Sequence, residues 1–166
     1  MIADTVERMR AEDLGPAAAI HAACFHDAWD AAVLRQVLEM PGTFGLVARW
    51  GARDAMIGFA LARVDGDGCE LLSLGVTPQH RARGVGRELL LAAMTQATAA
   101  DARNFFLEVA ENNISAIMLY RAHGLIRIGQ RPDYYENPDG RRTMAITMSC
   151  ELAPTSGAVP VEGKFS

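Results

Sequence analysis

The sequence predicts a single domain of the α/β (α+β) class, in which about four helices flank a central mixed, mostly antiparallel sheet of about seven strands. The first indication is the order of the predicted elements, which runs strand, helix, helix, three strands, helix, strand, helix and two strands. The second is the turn-forming sequence between successive strands, such as DGDG at residues 65–68, which lets neighbouring strands pair as hairpins. Because strands and helices do not alternate throughout, the pattern excludes a doubly wound nucleotide-binding fold.

The N-terminal half is predicted as one short strand, two helices and three further strands. The short opening strand covers residues 4–10. A first helix starts near Pro16, and Asp30 is a suitable N-cap for the second helix, which Met40-Pro41-Gly42 terminates. The next three strands have apolar or alternating sequences and are predicted at residues 43–49, 56–64 and 69–76.

The C-terminal half is predicted as helix, strand, helix and a closing pair of strands. A Leu- and Ala-rich helix runs from Gly84 to about Ala100, and Gly124 stands where the left-handed C-cap of the last helix belongs. An Asn-Pro-Asp-Gly turn signal separates the two final strands. The three strands are predicted at residues 104–110, 125–131 and 143–152, and the last helix is predicted at residues 114–123.

The composition fits one ordinary globular domain. Half of the 166 residues are hydrophobic and 22% are charged, and the formal net charge is −4. This balance argues against direct nucleic-acid or membrane binding, and no apolar run approaches the length of a membrane span. We expect one domain over residues 1–153 and a flexible C-terminal tail over the Pro-, Gly- and Ser-rich residues 154–166.

The cysteine and histidine residues favour a cytoplasmic protein without a metal site. The three cysteines are widely spaced and make no disulfide framework, and charged residues interrupt the N-terminus too early for a signal peptide. His21, Cys24 and His26 match no strong zinc-binding spacing, so ordinary packing at a helix end is favoured over a metal site. We therefore expect a cytoplasmic location and no bound metal.

The stretch QHRARGVGRELL places two glycines and three arginines at the predicted start of a helix. A helix N-terminus presents unpaired N–H groups and the positive end of the helix dipole, which together bind anions. Gly84 and Gly86 would let a phosphate approach the main chain, and Arg81, Arg83 and Arg87 would add positive charge. Neither a Walker loop nor a dinucleotide loop fits the pattern. From these residues alone, pyrophosphate binding and a solvated basic turn both stay open.

The surrounding sequence resembles a known family. The stretch LGVTPQHRARGVGRELL resembles the acetyl-coenzyme-A signature of the GNAT acetyltransferases, in which a strand and a proline precede Arg/Gln-x-x-Gly-x-Gly/Ala at a helix start. Residues 106–125 resemble the second signature of the family. Residues 24–38 and 131–148 are similar to segments of the RimI-type protein N-terminal acetyltransferases, so the resemblance covers about residues 3–150.

The chain departs from the RimI-type pattern at three positions. His26 and Ala28 stand where that subfamily often has prolines, and Ala110 stands where it has a cationic or polar residue. These positions lie near the substrate side, so they bear on the identity of the acceptor more than on the chemistry.

The resemblance implies that acetyl-CoA is the cosubstrate. Main-chain groups of Leu74, Gly75 and Val76 are expected to meet the pantetheine arm and the oxyanion of the reaction. Asn113 matches a coenzyme-contacting asparagine of the family and could also cap a helix. The pyrophosphate is expected to bind the loop of Arg81, Ala82, Arg83, Gly84, Val85, Gly86 and Arg87.

Two residues, and one alternative, are candidates for proton transfer. Strand alternation puts Phe106 and Glu108 on one face of the predicted strand, where Glu108 is either a satisfied, partly exposed carboxylate or a base. Tyr120 is either a core tyrosine or an acid, because a phenol with a pKa of about 10 stays protonated at neutral pH. The resemblance implies that Glu108 is the general base and Tyr120 the general acid, and Glu70 is the alternative base.

The resemblance further implies acetyl transfer to the N-terminal α-amine of a protein, customarily a small-subunit ribosomal protein, by direct attack in a ternary complex. Phe25 and Trp29 on one side, and Tyr134 and Tyr135 on the other, are the expected acceptor contacts. Alternatives are acetylation of a small-molecule amine or a lysine side chain, a coenzyme-A-binding sensor without turnover, and a nucleic-acid binder. Both catalytic candidates argue against the sensor, and the acidic composition argues against the nucleic-acid binder. A monomer or weak dimer is expected.

Overall fold

The computed structural model describes residues 3–154, in which strands that follow one another in sequence mostly pair with one another. The strands are β1 (Thr5–Arg8), β2 (Thr43–Trp50), β3 (Ala55–Asp65), β4 (Gly68–Val76), β5 (Asn104–Ala110), β6 (Ile126–Glu136) and β7 (Arg142–Glu151). The helices are α1 (Leu14–Cys24), α2 (Ala31–Glu39), α3 (Val85–Ala99) and α4 (Ile114–Ala122). The predicted fold class is confirmed, and the largest difference in bounds is at β6, which extends beyond the predicted residue 131 to Glu136.

The sheet has the order β1-β2-β3-β4-β5-β7-β6, and one pair of neighbours is parallel. That pair is β4 with β5, and its ladder joins only Gly68–Leu71 to Asn104–Leu107. Beyond this ladder β4 continues along β3 as far as Val76, and β5 continues along β7. The two strands therefore separate and leave a gap in the middle of the sheet.

Helices cover the sheet on both faces. On one face α3 and α4 pack over the larger core, in which Leu89, Leu90 and Phe105 are fully buried. On the other face α1 and α2 pack over a smaller core that contains Leu34 and Phe59. The alternation of buried and half-buried residues along β5 follows from this arrangement, because successive side chains of a strand point to opposite faces.

Local chemistry fixes three ends of the helices α2 and α4. The side chain of Asp30 accepts the N–H of Val33 at 2.9 Å and caps α2 as predicted. The side chain of Asn113 accepts the N–H of Ala116 at 3.3 Å and caps α4 in the same way. Gly124 follows α4 with a φ of +93°, the left-handed conformation that was predicted for it.

A buried ion pair ties β2 to the start of α1. Arg49 donates to Asp13 at 2.6 Å and to Glu7 at 2.7 Å, and the side chains of Arg49 and Asp13 are 9% and 5% exposed. Burial by itself raises the pKa of Asp13, but hydrogen bonds from Arg49 and from the Arg10 N–H outweigh burial and leave that pKa lowered. The paired carboxylate therefore stays ionised inside the fold.

Two expectations concern the limits of the domain. None of the helices between residues 3 and 154 combines the length and the apolar character that crossing a membrane requires. The predicted flexible tail, residues 154–166, lies outside the described residues except for Pro154.

Candidate active site

The gap between β4 and β5 exposes one edge of β4. The register between β3 and β4 shifts at Leu72, a bulge that increases the local twist of the strand and changes the direction of its backbone groups. Past this bulge, the segment Leu74-Gly75-Val76 pairs with β3 on one side. Within residues 3–154 it has no strand partner on the other side. Main-chain groups on this edge are thus available to an extended ligand.

The N-terminus of α3 follows a turn with two left-handed residues, Ala82 with a φ of 59° and Gly84 with a φ of 89°. The main-chain N–H of Glu88 donates to the carbonyl of Gly84 at 3.0 Å. The N–H groups of residues 85–87 precede it and have no acceptor within the helix. These donors and the helix dipole together form a site for an anion.

The two glycines of this turn differ in conformation and surroundings. The φ of Gly84 is one that side-chain-bearing residues adopt only at a cost. A Cβ atom on Gly86 would lie 3.5 Å from Cδ2 of Leu119 and 3.7 Å from Cδ2 of Leu74, so this position faces packed side chains. These are ordinary van der Waals distances, so a Cβ atom would fit at this position. That Gly86 lets a phosphate approach the main chain stays a prediction.

The three arginines of the turn are also not equivalent. Nε of Arg81 donates to the carbonyl of Val76 at 3.1 Å, and Nη2 of Arg81 donates to Sγ of Cys24 at 3.2 Å. Arg81 therefore ties the turn to the ends of β4 and α1. Arg83 and Arg87 are exposed beside the N-terminus of α3, where a bound anion would meet their charge.

Glu108 lies on β5 just past the point where β5 leaves β4. As predicted, it shares a half-buried strand face with Phe106. Its side chain is 19% exposed, and its Oε2 lies 2.9 Å from Nη2 of Arg131 on β6. The hydroxyl of Tyr135 donates to the main-chain carbonyl of Glu108 at 3.3 Å. Sequence reasoning missed Arg131, because its position depends on the pairing of three strands and no local pattern reports that pairing.

A second carboxylate, Glu70, faces the same region from β4. Glu70 pairs with Phe106 in the parallel ladder, so it lies beside Glu108 on one face of the sheet. Burial raises the pKa of Glu70, and the negative charge of Glu108 raises it further, against the opposing charges of Arg63 and Arg131. The predicted base and the predicted alternative base are thus neighbours.

Tyr120 lies on α4 and is 7% exposed. Burial raises the pKa of Tyr120 to about 12, and the nearby Tyr135 adds to the shift. A phenol with this pKa is protonated at neutral pH and can donate a proton. Tyr135 links the two catalytic candidates, since it influences Tyr120 and also donates to the main chain of Glu108.

The first group of predicted acceptor contacts surrounds His21 of α1. The rings of Phe25 and Trp29 lie 4.5 Å and 5.0 Å from the His21 ring, measured between centroids. The main-chain N–H of Trp29 donates to Nδ1 of His21 at 3.0 Å. Burial lowers the pKa of His21, and the charge of Asp27 opposes that effect. The sequence favoured ordinary packing over a metal site for His21, but it did not show that the rings of Phe25 and Trp29 are its partners.

The second group lies on β6. Tyr134 and Tyr135 pack edge to face with ring centroids 5.0 Å apart, and Tyr134 is 42% exposed. The guanidinium of Arg131 lies 4.3 Å from the centroid of the Tyr134 ring. Between residues 3 and 154, no ring contact joins this group to Phe25 and Trp29.

A comparison with protein families decides the identity of this domain. The model of the acetyltransferase (GNAT) family matches residues 15–125, which include the turn before α3, all of β5 and all of α4. The chain belongs to the GNAT acetyltransferase family. The predicted family and the predicted acetyl-CoA-dependent N-acetyltransferase activity are confirmed at the level of the family.

Individual GNAT proteins are similar over most of the chain. The [ribosomal protein bS18]-alanine N-acetyltransferase of Haemophilus ducreyi is 33% identical over 116 residues, which cover 70% of this chain and 80% of the relative. The crystal structure of the ribosomal-protein-S18-alanine N-acetyltransferase from Escherichia coli has a TM-score of 0.82 at 24% identity, covering 93% of this chain and 97% of that one. A GNAT phosphinothricin acetyltransferase from Sinorhizobium meliloti, solved with acetyl-CoA, has a TM-score of 0.78 at 23% identity, covering 96% and 94%.

Acetyl-CoA is the cosubstrate of this GNAT domain, and the residues fit its shape and charge. The coenzyme has an extended arm and an anionic diphosphate. The unpaired edge of β4 suits the arm, and the N–H groups at the start of α3 suit the diphosphate. In the described part of the chain, no group of three or more His, Cys, Asp or Glu side chains is arranged to hold a metal ion.

Proposed function

We propose that this GNAT enzyme transfers the acetyl group of acetyl-CoA to the N-terminal α-amine of a protein. The observation that carries this acceptor is the 33% identity to a bS18-alanine N-acetyltransferase over 70% of the chain. By that likeness, the candidate acceptor is the N-terminal alanine of a small-subunit ribosomal protein. Such an acceptor belongs to the cytoplasm, and we place the reaction there.

The proposed coenzyme site combines the edge of β4 with the start of α3. Main-chain groups of the segment Leu74-Gly75-Val76 would hold the pantetheine arm and the oxyanion. The N–H groups of residues 85–87 would hold the diphosphate, with Arg83 and Arg87 beside it. Asn113, which caps α4, would keep that role while its side chain contacts the coenzyme.

The proposed chemistry is one direct displacement in a ternary complex. The acceptor enters as an ammonium, loses a proton to Glu108 and attacks the thioester carbonyl as a neutral amine. A new C–N bond forms, and the nitrogen of the tetrahedral intermediate releases its second proton to solvent. The C–S bond breaks when the intermediate collapses. Tyr120 gives its proton to the departing thiolate, which its pKa of about 12 permits because the phenol is protonated at neutral pH. No covalent acetyl-enzyme is required.

Glu70 is the alternative proton acceptor. Its pKa is raised by burial and by Glu108, and a carboxylate with a raised pKa holds a proton from an ammonium more readily. Glu70 lies in the parallel ladder next to the point where β4 loses β5 as a partner, and the thioester of the proposed complex would lie beyond that point. A water molecule between Glu70 and the amine would complete this route.

The acceptor peptide is proposed to lie between the two aromatic groups. Phe25 and Trp29 would form one wall, held by His21, and Tyr134 and Tyr135 would form the other. A groove that accepts an N-terminus needs no nucleic acid and no second copy of the chain. We therefore retain a monomer or weak dimer as the working state.

A small-molecule amine is the second candidate acceptor. The phosphinothricin acetyltransferase of Sinorhizobium meliloti shares the fold with a TM-score of 0.78, so the fold alone does not choose between acceptors. A lysine side chain is a weaker candidate, because its amine has a pKa of about 10.4 and holds its proton more strongly than an α-amine.

Acceptor profiling tests the proposal. Peptides that begin with alanine would be incubated with acetyl-CoA. One set would have a free N-terminus and the other a blocked N-terminus. Lysine-containing peptides with blocked N-termini and a panel of small amines would be offered in parallel. We expect turnover of the free N-terminus alone. Turnover of small amines without any peptide acetylation would refute the proposed acceptor and leave the family assignment intact.

A further inference from the structure

Arg131 reaches across the sheet from β6 to Glu108 on β5. Arg131 pairs with Ala145 of β7, and Ala145 pairs with Ala110 of β5, so the three residues form a row across the strands. Residues that lie opposite each other in a ladder point to the same face. Glu108 is two residues before Ala110 on β5, so it shares this face. The two alanines leave room for the long side chain of Arg131, whose Nη2 ends 2.9 Å from Oε2 of Glu108.

The same guanidinium contacts the aromatic pair on the acceptor side. It lies 4.3 Å from the centroid of the Tyr134 ring, a distance typical of a cation–π interaction. Tyr134 packs edge to face on Tyr135, and Tyr135 donates to the main-chain carbonyl of Glu108. Arg131, Tyr134, Tyr135 and Glu108 thus form a closed set of contacts, in which each member touches two others.

The positive charge of Arg131 acts on both carboxylates, Glu108 and Glu70. The charged groups that face Glu70 are Glu108 from β5, Arg63 from β3 and Arg131 from β6, and the hydroxyl of Tyr135 faces it as well. Arg63 lies opposite Glu70 in the β3–β4 ladder, on the side away from Glu108. Arg131 is the cation bonded to Glu108 and also acts on Glu70.

We propose that Arg131 is a positioning residue for acetyl transfer, which fixes the direction of the Glu108 carboxylate and couples it to the Tyr134–Tyr135 pair. The inference rests on the proposed function, because it takes Glu108 as the proton acceptor. Arg131 acts through Glu108 and does not touch the reacting atoms. Its side chain is 54% exposed, so its removal leaves the core intact.

Three variants separate this role from a general structural one. Arg131→Met keeps the length of the side chain and removes the cation, whereas Arg131→Lys keeps the charge and loses the planar fork. Arg127→Met is the matched control, because Arg127 lies on the same strand and its guanidinium bonds Gln130 instead of a carboxylate. All three would be compared with the wild type by circular dichroism and by calorimetry with acetyl-CoA.

The kinetic arm measures kcat and KM with whichever amine the wild type acetylates. We expect Arg131→Met to lower kcat about 10- to 100-fold, the cost of a misplaced catalytic group, with acetyl-CoA affinity unchanged. Arg131→Lys should recover part of the loss, and Arg127→Met should match the wild type. An unchanged kcat in Arg131→Met, or an equal loss in Arg127→Met, would overturn the proposal. A lower acceptor KM at unchanged kcat would also overturn it, since Arg131 would then compete with the acceptor ammonium.

The second arm needs no acceptor. Carbon-13 NMR of labelled glutamate carboxyl groups follows the titration of Glu70 in the wild type and in Arg131→Met. Because the charge of Arg131 lowers the pKa of Glu70, we expect the Glu70 signal of the variant to titrate at higher pH. An unmoved titration would mean that the Arg131 cation does not lie beside the two carboxylates as its 2.9 Å contact with Glu108 requires, and would overturn the proposal. If the wild type acetylates no peptide N-terminus, the proposed function fails while this arm still tests Arg131.

Discussion

The imidazole of His21 stacks on the indole of Trp29, with ring centroids 5.0 Å apart and planes inclined by 13°, and its Nδ1 accepts the Trp29 N–H at 3.0 Å. A ring nitrogen that accepts a hydrogen bond carries no proton. Burial favours the same neutral form, since it lowers the pKa of His21. A neutral imidazole therefore holds the connection between α1 and α2, on which Phe25 and Trp29 lie.

We expect His21 to make the protein less stable at mildly acidic pH. Because the folded-state pKa lies below the ordinary 6.5, stability from neutral His21 is complete above about 6.5 and declines as the pH falls through the lowered pKa. His21→Gln keeps an acceptor for Trp29 and does not titrate. Near pH 8 the variant should be about 0.5–1.5 kcal/mol less stable, because the ring stacking is lost.

Urea unfolding of both proteins between about pH 5 and pH 8 measures this difference. The deficit of His21→Gln should shrink as the pH falls, since only the wild type loses stability through His21. A deficit that is constant over this range would contradict the assignment of a neutral His21.

The left-handed turn before α3 provides a matched test of the anion site. Asn and Asp tolerate the left-handed conformation of Gly84 about equally well and differ in charge. We expect Gly84→Asp to bind acetyl-CoA at least about tenfold more weakly than Gly84→Asn, because a negative charge would stand beside the diphosphate. Isothermal calorimetry measures both affinities. Equal affinities would remove the turn from the coenzyme site.

Glu108 and Tyr120 are expected to respond differently to pH. Glu108→Gln and Tyr120→Phe should each lower kcat by about 10²–10⁴-fold, with acetyl-CoA binding nearly unchanged. High pH should partly restore Glu108→Gln, because an α-amine with a pKa of about 7.7–8.0 is then already neutral. It should not restore Tyr120→Phe, in which the thiolate still lacks a proton donor.

Steady-state kinetics across the pH range distinguish these outcomes. If Glu108→Gln keeps the wild-type kcat at neutral pH, the base role passes to Glu70 or to water, and Glu70→Gln becomes the deciding variant. An acetyl group trapped on a cysteine would refute direct transfer for either base.

The buried pair of Arg49 and Asp13 is expected to dominate the stability of the β2–α1 contact. Arg49→Met leaves the Asp13 carboxylate buried without its cation and should cost about 3–5 kcal/mol. Arg10→Met is the control, because the side chain of Arg10 is 60% exposed and its ion pairs with Glu7 and Glu12 are both 3.6 Å long. Urea unfolding should show a loss below about 1 kcal/mol for this control.

Local patterns predicted the elements and several of their ends. The alternation along NFFLEVA placed Glu108 on the half-buried face of β5, because a strand repeats every two residues. Asp30 and Gly124 marked helix ends through side-chain and backbone chemistry that acts within a few residues. Such features depend on near neighbours in the chain, and a sequence displays them directly.

Contacts between residues that are distant in the sequence could not be predicted from local patterns. The ion pair of Glu108 with Arg131 depends on the register of β5, β7 and β6, in which one slipped residue would turn Arg131 to the other face. The position of Gly86 beside Leu119 depends on how α3 packs against α4. The spacing of the glycines in the sequence does not contain that information. For His21 the sequence favoured packing at a helix end, but which rings pack around it depends on the folded connection between α1 and α2.

The short parallel ladder between β4 and β5 also bears on how the chain folds. The antiparallel pairs among β2, β3 and β4, and the pair of β6 with β7, close over short turns. The parallel ladder of β4 with β5 has four residue pairs and forms only after the α3 crossover. The two antiparallel halves can therefore assemble first and dock later. A ligand in the gap touches both halves and opposes their local separation by mass action. Amides of Gly68–Leu71 should then exchange with deuterium more slowly once acetyl-CoA is added.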